Sequence, residues 1–131
     1  MLADQLVEPV PMHVSERGVE VSVRMPWYRA LPLCSVLNLR LTIDGTEIPR
    51  EKLRFGVNGA EYTEAGLAEE WQQWWYVLDS ARIVAVETTV GPGEHEVEAG
   101  LSLSIPYLPV PGGPLVITES NTKRLTTEVR S

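Results

Sequence analysis

Two histidines and one cysteine are the side chains in this sequence that could bind a metal ion through nitrogen or sulfur. They are His13, His95 and Cys34, and their separations match no ligand motif. Cys34 could also act as a nucleophile. However, "LPLCSV" leads into a predicted strand, where a small buried side chain is the more common role. We therefore predict no catalytic residue, no metal ligand and no cofactor site in this chain.

Adjacent carboxylates, as in "EHE" at 94–96 and "EE" at 69–70, suggest acid–base chemistry. Paired carboxylates on opposite sides of a cleft cleave glycosides, so an independent hydrolase is one hypothesis. Neighbouring residues of a strand, however, point to opposite faces of the sheet. We interpret these glutamates as solvated surface residues.

The composition limits the classes of partner. The chain has 131 residues and a formal net charge of -7, which disfavours nucleic acid and anionic membranes because both attract basic surfaces. The single cysteine excludes an internal disulfide and favours a reducing compartment. The first residues lack the basic and apolar runs of a signal peptide, and no apolar run reaches the roughly 20 residues of a membrane span. We expect a cytoplasmic protein with one domain over residues 1–131.

Apolar and polar residues alternate in three stretches, around 19–25, 37–43 and 97–105. A period of two is typical of antiparallel strands with one buried face. Asp44-Gly45 and Asn58-Gly59 predict tight hairpins. The fold class is therefore all-β, an antiparallel β-sandwich of about seven or eight strands, with a small barrel as the alternative. At most one short helix is expected, near "TEAGLAEEWQQ" with Thr63 as its cap.

An aromatic cluster lies in the middle of the chain, at Trp71, Trp74, Trp75 and Tyr76. Core packing is the favoured interpretation, with at least one of Trp74 and Trp75 pointing inward because adjacent strand residues alternate. A sugar-stacking platform and a protein interface stay open as surface roles.

Two proline-rich loops, "RMPWYRALPLC" and "SIPYLPVPGGPL", carry aromatic and aliphatic side chains between strands. A loop stiffened by proline loses less entropy on binding, and Trp, Tyr and Arg are enriched at interface hot spots. If both loops lie at one end of the sandwich, they form an apolar patch that a partner would cover.

The order and spacing of three stretches carry a family resemblance. "MPWYRALPL", "LTIDGTEIPREKLRFGVNGAEYT" and "GPGEHEVEAGLSLSIPYLPVP" resemble the β subunit of the bacterial C-glycoside deglycosidases. The match runs from about Val19 to Tyr107, and less clearly to the C-terminus.

The resemblance implies an accessory β subunit in a hetero-oligomeric lyase. Its partner is a TIM-barrel, sugar-isomerase-like α subunit that holds the catalytic base and a divalent metal ion, expected to be Mn²⁺. The substrates are 3-keto C-glucosides of polyphenols such as flavonoids, cleaved by metal-assisted β-elimination. A free-standing carbohydrate-binding β-sandwich module is the alternative function.

The two loops then predict the face that docks on the α subunit. The predicted interface residues are Trp27, Tyr28, Arg29, Leu31, Tyr107, Leu108 and Val110. The alternative is that the residues of the first loop pack inside the end of the sandwich as an internal plug.

Overall fold

The computed structural model describes residues 6–26, 29–77, 79–110 and 113–129, and of these it describes no side chains at 106–110 and 113–114. This part of the chain contains eleven strands, one α-helix and two 3-10 helices, at Leu33–Ser35 and Arg50–Lys52. The strands and the helix are β1 (Met12–Val14), β2 (Gly18–Val23), β3 (Leu31–Pro32), β4 (Val36–Ile43), β5 (Thr46–Glu47), β6 (Leu53–Val57), β7 (Ala60–Thr63), α1 (Glu64–Leu67), β8 (Trp74–Trp75), β9 (Ala81–Val86), β10 (Glu94–Val110) and β11 (Gly113–Val129).

Nine of the strands form one sheet, in the order β5-β4-β10-β11-β1-β2-β9-β6-β7, and β3 pairs with β8 separately. Neighbours are antiparallel except β1 and β11, which are parallel. Although β4 is far from β6 and β9 in this order, it contacts both. The sheet therefore curls until its two halves face each other across a common core.

The all-β prediction is confirmed, with two differences in detail. The two layers belong to one hydrogen-bonded sheet joined through β1 and β11, rather than to separate sheets. The strand number in the described residues exceeds the predicted seven or eight because β1, β3, β5 and β8 have only two or three residues. Such short pairings leave no alternation to read in the sequence.

The three alternating stretches contribute inward residues to the core, as predicted, together with residues from the other strands and from the N-terminal segment. One cluster joins their inward residues from both halves of the sheet, and burial of these apolar side chains is the main favourable term in folding. Its members from these stretches are Val19, Val21, Val23, Met25, Leu39, Leu41, Ile43, Val97, Ala99, Leu101, Leu103 and Ile105.

A β-bulge at Asn38 breaks the alternation of β4. Asn38 has a φ of 53°, and the register with β10 shifts at this point so that two residues of β4 lie opposite Leu101. As a result Val36 is buried and Leu37 is only half-buried, although Leu37 shares its alternation with the buried Leu39. The sequence pattern alone placed Leu37 in the core.

The predicted short helix is present and covers the outer edge of β4. The Thr63 hydroxyl accepts a hydrogen bond from the Gly66 N–H at 2.9 Å, which is the expected N-cap. The Glu64 carboxylate accepts the Leu39 N–H at 2.9 Å and forms an ion pair with Arg50. A helix over a strand edge satisfies backbone groups there and hinders pairing with another chain.

Both predicted hairpin turns are confirmed. Asp44 and Gly45 have φ values of 51° and 82°, and Asn58 and Gly59 have values of 56° and 75°. Positive φ at both central residues is the type I′ geometry that matches strand twist. Within the described ranges, no helix has the length and apolar character needed to cross a membrane.

A close backbone approach between β2 and β9 requires glycine at position 18. A Cβ atom there would lie 2.0 Å from the Ala85 carbonyl oxygen. Because the clashing atom belongs to the backbone, one of the two strands would have to move. We expect Gly18→Ala to lower the free energy of unfolding by about 3 kcal/mol, measured by chemical denaturation. Gly91→Ala is the matched control because nothing lies within 4 Å of its new Cβ. Equal stability of the two variants would contradict the steric argument.

Candidate functional site

The two-stranded sheet connects the first proline-rich loop to the aromatic cluster. Leu31 is paired with Trp75 and Pro32 with Trp74. Two further backbone bonds extend the connection: the Leu33 N–H donates to the Gln73 carbonyl at 2.8 Å, and the Cys34 N–H donates to the Glu70 carbonyl at 3.1 Å. Residues 31–34 and 70–75 therefore form one rigid unit.

Trp75 anchors this unit in the core. Its side chain is fully buried, and its ring packs edge-on against Phe55 with centroids 5.2 Å apart and an interplanar angle of 68°. The indole N–H donates to the Asp79 carbonyl at 3.0 Å, so the buried polar atom is satisfied. The prediction that at least one of Trp74 and Trp75 points inward is confirmed.

The other three members of the cluster are on the surface. Trp71 is 67% exposed, Tyr76 is 56% exposed and Trp74 is 39% exposed. The core interpretation therefore holds for Trp75 alone, because a two-residue strand turns its neighbouring side chains to opposite sides. We call Trp71, Trp74 and Tyr76 the aromatic surface. The signal that sequence reasoning missed is the polar Gln72 and Gln73 between the tryptophans, which break a core pattern.

The second proline-rich loop lies at the same end of the sheet. β4 begins at Val36, whose partner on β10 is Leu103, and the preceding 3-10 helix contacts β10. Beyond Leu103, β10 continues to Val110 and pairs only with β11 among the described strands. Residues 106–110 and 113–114, which we call the arm, thus extend from the end of the sheet at which the 3-10 helix leads from the two-stranded sheet into β4.

The predicted interface residues fall into three groups. Trp27 and Tyr28 lie outside the described residues, and Arg29 beside them is exposed. Leu31 is fully buried, so its side chain supports the loop from within the core and is not part of the surface. The remaining three are on the arm, in the part of β10 whose backbone alone is described: Tyr107, Leu108 and Val110.

The three potential metal ligands do not meet. Within the ranges that the structure describes, no three side chains of the His, Cys, Asp or Glu type are close enough to share an ion. Cys34 is half-buried in the 3-10 helix before β4, and His13 is 3.5 Å from Glu128 on β11. Glu94, one of the paired carboxylates, forms an ion pair with Arg124 on the surface.

His95 has a structural role at the opposite end of β10. Its Nδ1 is 2.5 Å from the Asp44 carboxylate and its Nε2 is 2.6 Å from the Gly91 carbonyl oxygen. Both partners are acceptors, so both ring nitrogens donate only when the imidazole is protonated. The hydrogen bond with Asp44, followed by that with Gly91, raises the pKa of His95. The Asp44 carboxylate also accepts the Glu96 N–H at 2.9 Å, and its pKa is lowered, mainly by His95.

The fold and this site define a class: an all-β protein with exposed aromatic residues and two proline-rich loops at one end. A family model described as C-glycoside deglycosidase beta subunit matches residues 1–107. The chain therefore belongs to the C-glycoside deglycosidase beta subunit family, as the resemblance in the sequence implied.

Individual relatives agree over nearly the whole chain. The 3'-dehydrocarminate deglycosidase beta subunit of Microbacterium sp is 38% identical over 125 residues, which are 95% of both chains. The C-glycoside deglycosidase beta subunit of Microbacterium trichothecenolyticum is 39% identical over 126 residues, 95% of this chain and 96% of its own. One from Arthrobacter globiformis is 36% identical over 127 residues, with the same coverage. The name of this family indicates a subunit of an enzyme complex and implies an α subunit as partner.

The His95 contacts predict how stability depends on pH. A group whose pKa is raised by folding stabilises the protein below its unfolded pKa, about 6.5 for histidine, and this contribution is lost as the pH rises through the folded pKa. We therefore expect the free energy of unfolding to fall above about pH 6.5, and His95→Gln to remove that fall. Denaturant titrations between pH 5.5 and 8.5 measure the free energy of unfolding of both proteins as a function of pH.

His13→Gln is the matched control for this prediction, because it removes the other imidazole of the chain and leaves the His95 contacts intact. The control should retain the pH dependence of the wild-type protein. A pH dependence that follows His13 instead of His95 would contradict the assignment.

Proposed function

We propose that this chain is the non-catalytic, accessory β subunit of a C-glycoside deglycosidase and that it docks on its α subunit through the end that carries the two proline-rich loops. The observation that carries the proposal is the position of both loops at one end of a family member whose name implies a partner. Loops stiffened by proline bind with a small entropy cost, which suits a permanent subunit contact.

The reaction that we propose for the complex is cleavage of the C–C bond of polyphenol 3-keto C-glucosides. The keto group at C3 acidifies the C2 proton, and a base removes that proton. The electrons form a double bond between C1 and C2 and expel the aglycone carbon from C1. The released aglycone carbon then takes up a proton. This is a β-elimination, so the complex is a lyase. The name of the Microbacterium relative, which contains 3'-dehydrocarminate, supports an oxidised sugar as substrate.

We place the catalytic base and the divalent metal ion, Mn²⁺, in a TIM-barrel α subunit. In this chain His95 is engaged with Asp44 in a structural contact. In this proposal the β subunit contributes contact surface and rigidity, and it works in the cytoplasm.

A second candidate function is a free-standing carbohydrate-binding module. The specific observation in its favour is the exposure of Trp71, Trp74 and Tyr76, since exposed aromatic rings also stack on sugars. Such a module would bind sugar in the absence of any partner subunit.

Cleavage of a 3-keto C-glucoside tests the proposed function directly. The substrate is incubated with this chain alone, with the α subunit encoded by the same organism alone, and with the two co-expressed, and the released aglycone is measured by chromatography. We expect aglycone only from the co-expressed pair, because the base and the contact surface lie on different chains. Equal release by the α subunit alone would show that this chain is unnecessary for cleavage.

The arm offers a variant that removes predicted contacts without disturbing the sheet. Ile105 and Leu115 are directly paired, so an Asn-Gly turn can replace residues 106–114 between them. The chain itself joins Val57 and Ala60 through Asn58-Gly59 in this way. We expect the trimmed protein to bind the α subunit at least about tenfold more weakly in calorimetric titrations, because Tyr107, Leu108 and Val110 are gone.

The thermal midpoint of the trimmed protein is the control, and it should equal that of the full chain. Unchanged affinity for the α subunit, with an unchanged midpoint, would exclude the arm from the interface.

A further inference from the structure

The aromatic surface exposes three large aromatic side chains within one short segment of the chain. Trp71, Trp74 and Tyr76 lie within six residues of one another, and two of them are more than half exposed. Exposing neighbouring aromatic side chains to water is unfavourable, and such clusters commonly mark an interaction site.

Contacts on two sides and a buried anchor hold the segment under this surface, which favours a preformed contact. The Asn58 side chain donates to the Trp74 carbonyl at 2.8 Å, so the Asn58-Gly59 hairpin holds β8 from one side. The pairing of Pro32 with Trp74 holds it from the other, and the buried Trp75 fixes it to the core. The three exposed rings are therefore presented on a segment that loses little backbone freedom on binding.

The charged residues within the segment that carries the surface are all acidic, while Arg29 of the first proline-rich loop lies two residues before β3, the strand that pairs with β8. Glu69 and Glu70 precede Trp71, Asp79 follows Tyr76, and residues 69–80 contain no Lys or Arg. Glu69 is exposed, and Glu70 is half-buried. An acidic rim around an apolar centre is complementary to a protein surface with basic residues at its rim.

We propose that the aromatic surface is a docking site for the α subunit, on a patch of that subunit with an apolar centre and a Lys- or Arg-containing rim. The site is continuous with the predicted interface, because Trp74 pairs with Pro32 of the first proline-rich loop. This inference rests on the proposed function and adds to it a contact that lies outside both loops.

The test measures the affinity of the same-organism α subunit for the wild-type chain and for the double variant Trp71→Ser and Tyr76→Ser. These two residues are the most exposed of the three, so their loss should leave the thermal midpoint unchanged. Loss of hot-spot aromatic residues should weaken binding about 30-fold. Val129→Ser is the matched control: it also removes an exposed apolar side chain, but at the other end of β11, and should change affinity less than about twofold.

The role of the acidic residues beside the aromatic surface is tested by the rate of association with the α subunit. Glu69→Lys should slow association with the α subunit and reduce the dependence of the association rate on salt, because rim charges steer encounter. Val129→Ser should leave both unchanged.

The possible outcomes separate this inference from the proposed function. If the wild-type chain binds and the double variant binds equally well, the docking site is wrong and the subunit role stands. If the wild-type chain does not bind the α subunit, both are wrong. If glucose shifts the tryptophan fluorescence of the wild-type chain but not of the double variant, while both bind the α subunit equally, the surface is a sugar platform and the docking site is overturned.

Discussion

Burial of the Trp75 indole against Phe55 is the contact on which the end of the protein with the two-stranded sheet depends. Trp75 is one of two residues in β8, and β8 has only β3 as a strand partner in the described part of the chain. A two-residue pairing has little stability of its own. The buried ring supplies the missing stabilisation, and it thereby fixes both the first proline-rich loop and the exposed Trp71, Trp74 and Tyr76 on the core.

The two ends of β10 differ in their chemistry. At its beginning, His95 and Asp44 hold the Asp44-Gly45 turn, the loop at Gly91 and the strand together through charged hydrogen bonds. At its far end, the arm and the aromatic surface carry aromatic, aliphatic and proline residues. Charged contacts therefore close one end of the sheet, and the apolar residues concentrate at the end where we propose that the α subunit docks.

Membership of the C-glycoside deglycosidase beta subunit family gives this asymmetry a functional context. A subunit of an enzyme complex needs a stable scaffold and a specific contact surface. The curled sheet provides the scaffold, since the inward residues of both halves form one core. The paired glutamates that suggested a hydrolase are in part used structurally, as Glu94 is with Arg124.

The sequence by itself determined the all-β class, the two type I′ turns, the Thr63 cap and the family. Each of these depends on residues that are close along the chain or on the order and spacing of short sequence segments. Only the tertiary structure decided that both proline-rich loops share one end, since that follows from the pairing of Val36 with Leu103. It also decided that Leu31 is buried while Trp71, Trp74 and Tyr76 are exposed. Alternation predicts that neighbouring residues face opposite sides, but which side is covered depends on strands that are distant in the sequence. The bulge at Asn38 is of the same kind: asparagine tolerates the positive φ that the bulge requires, but the shift in register is set by the pairing with β10.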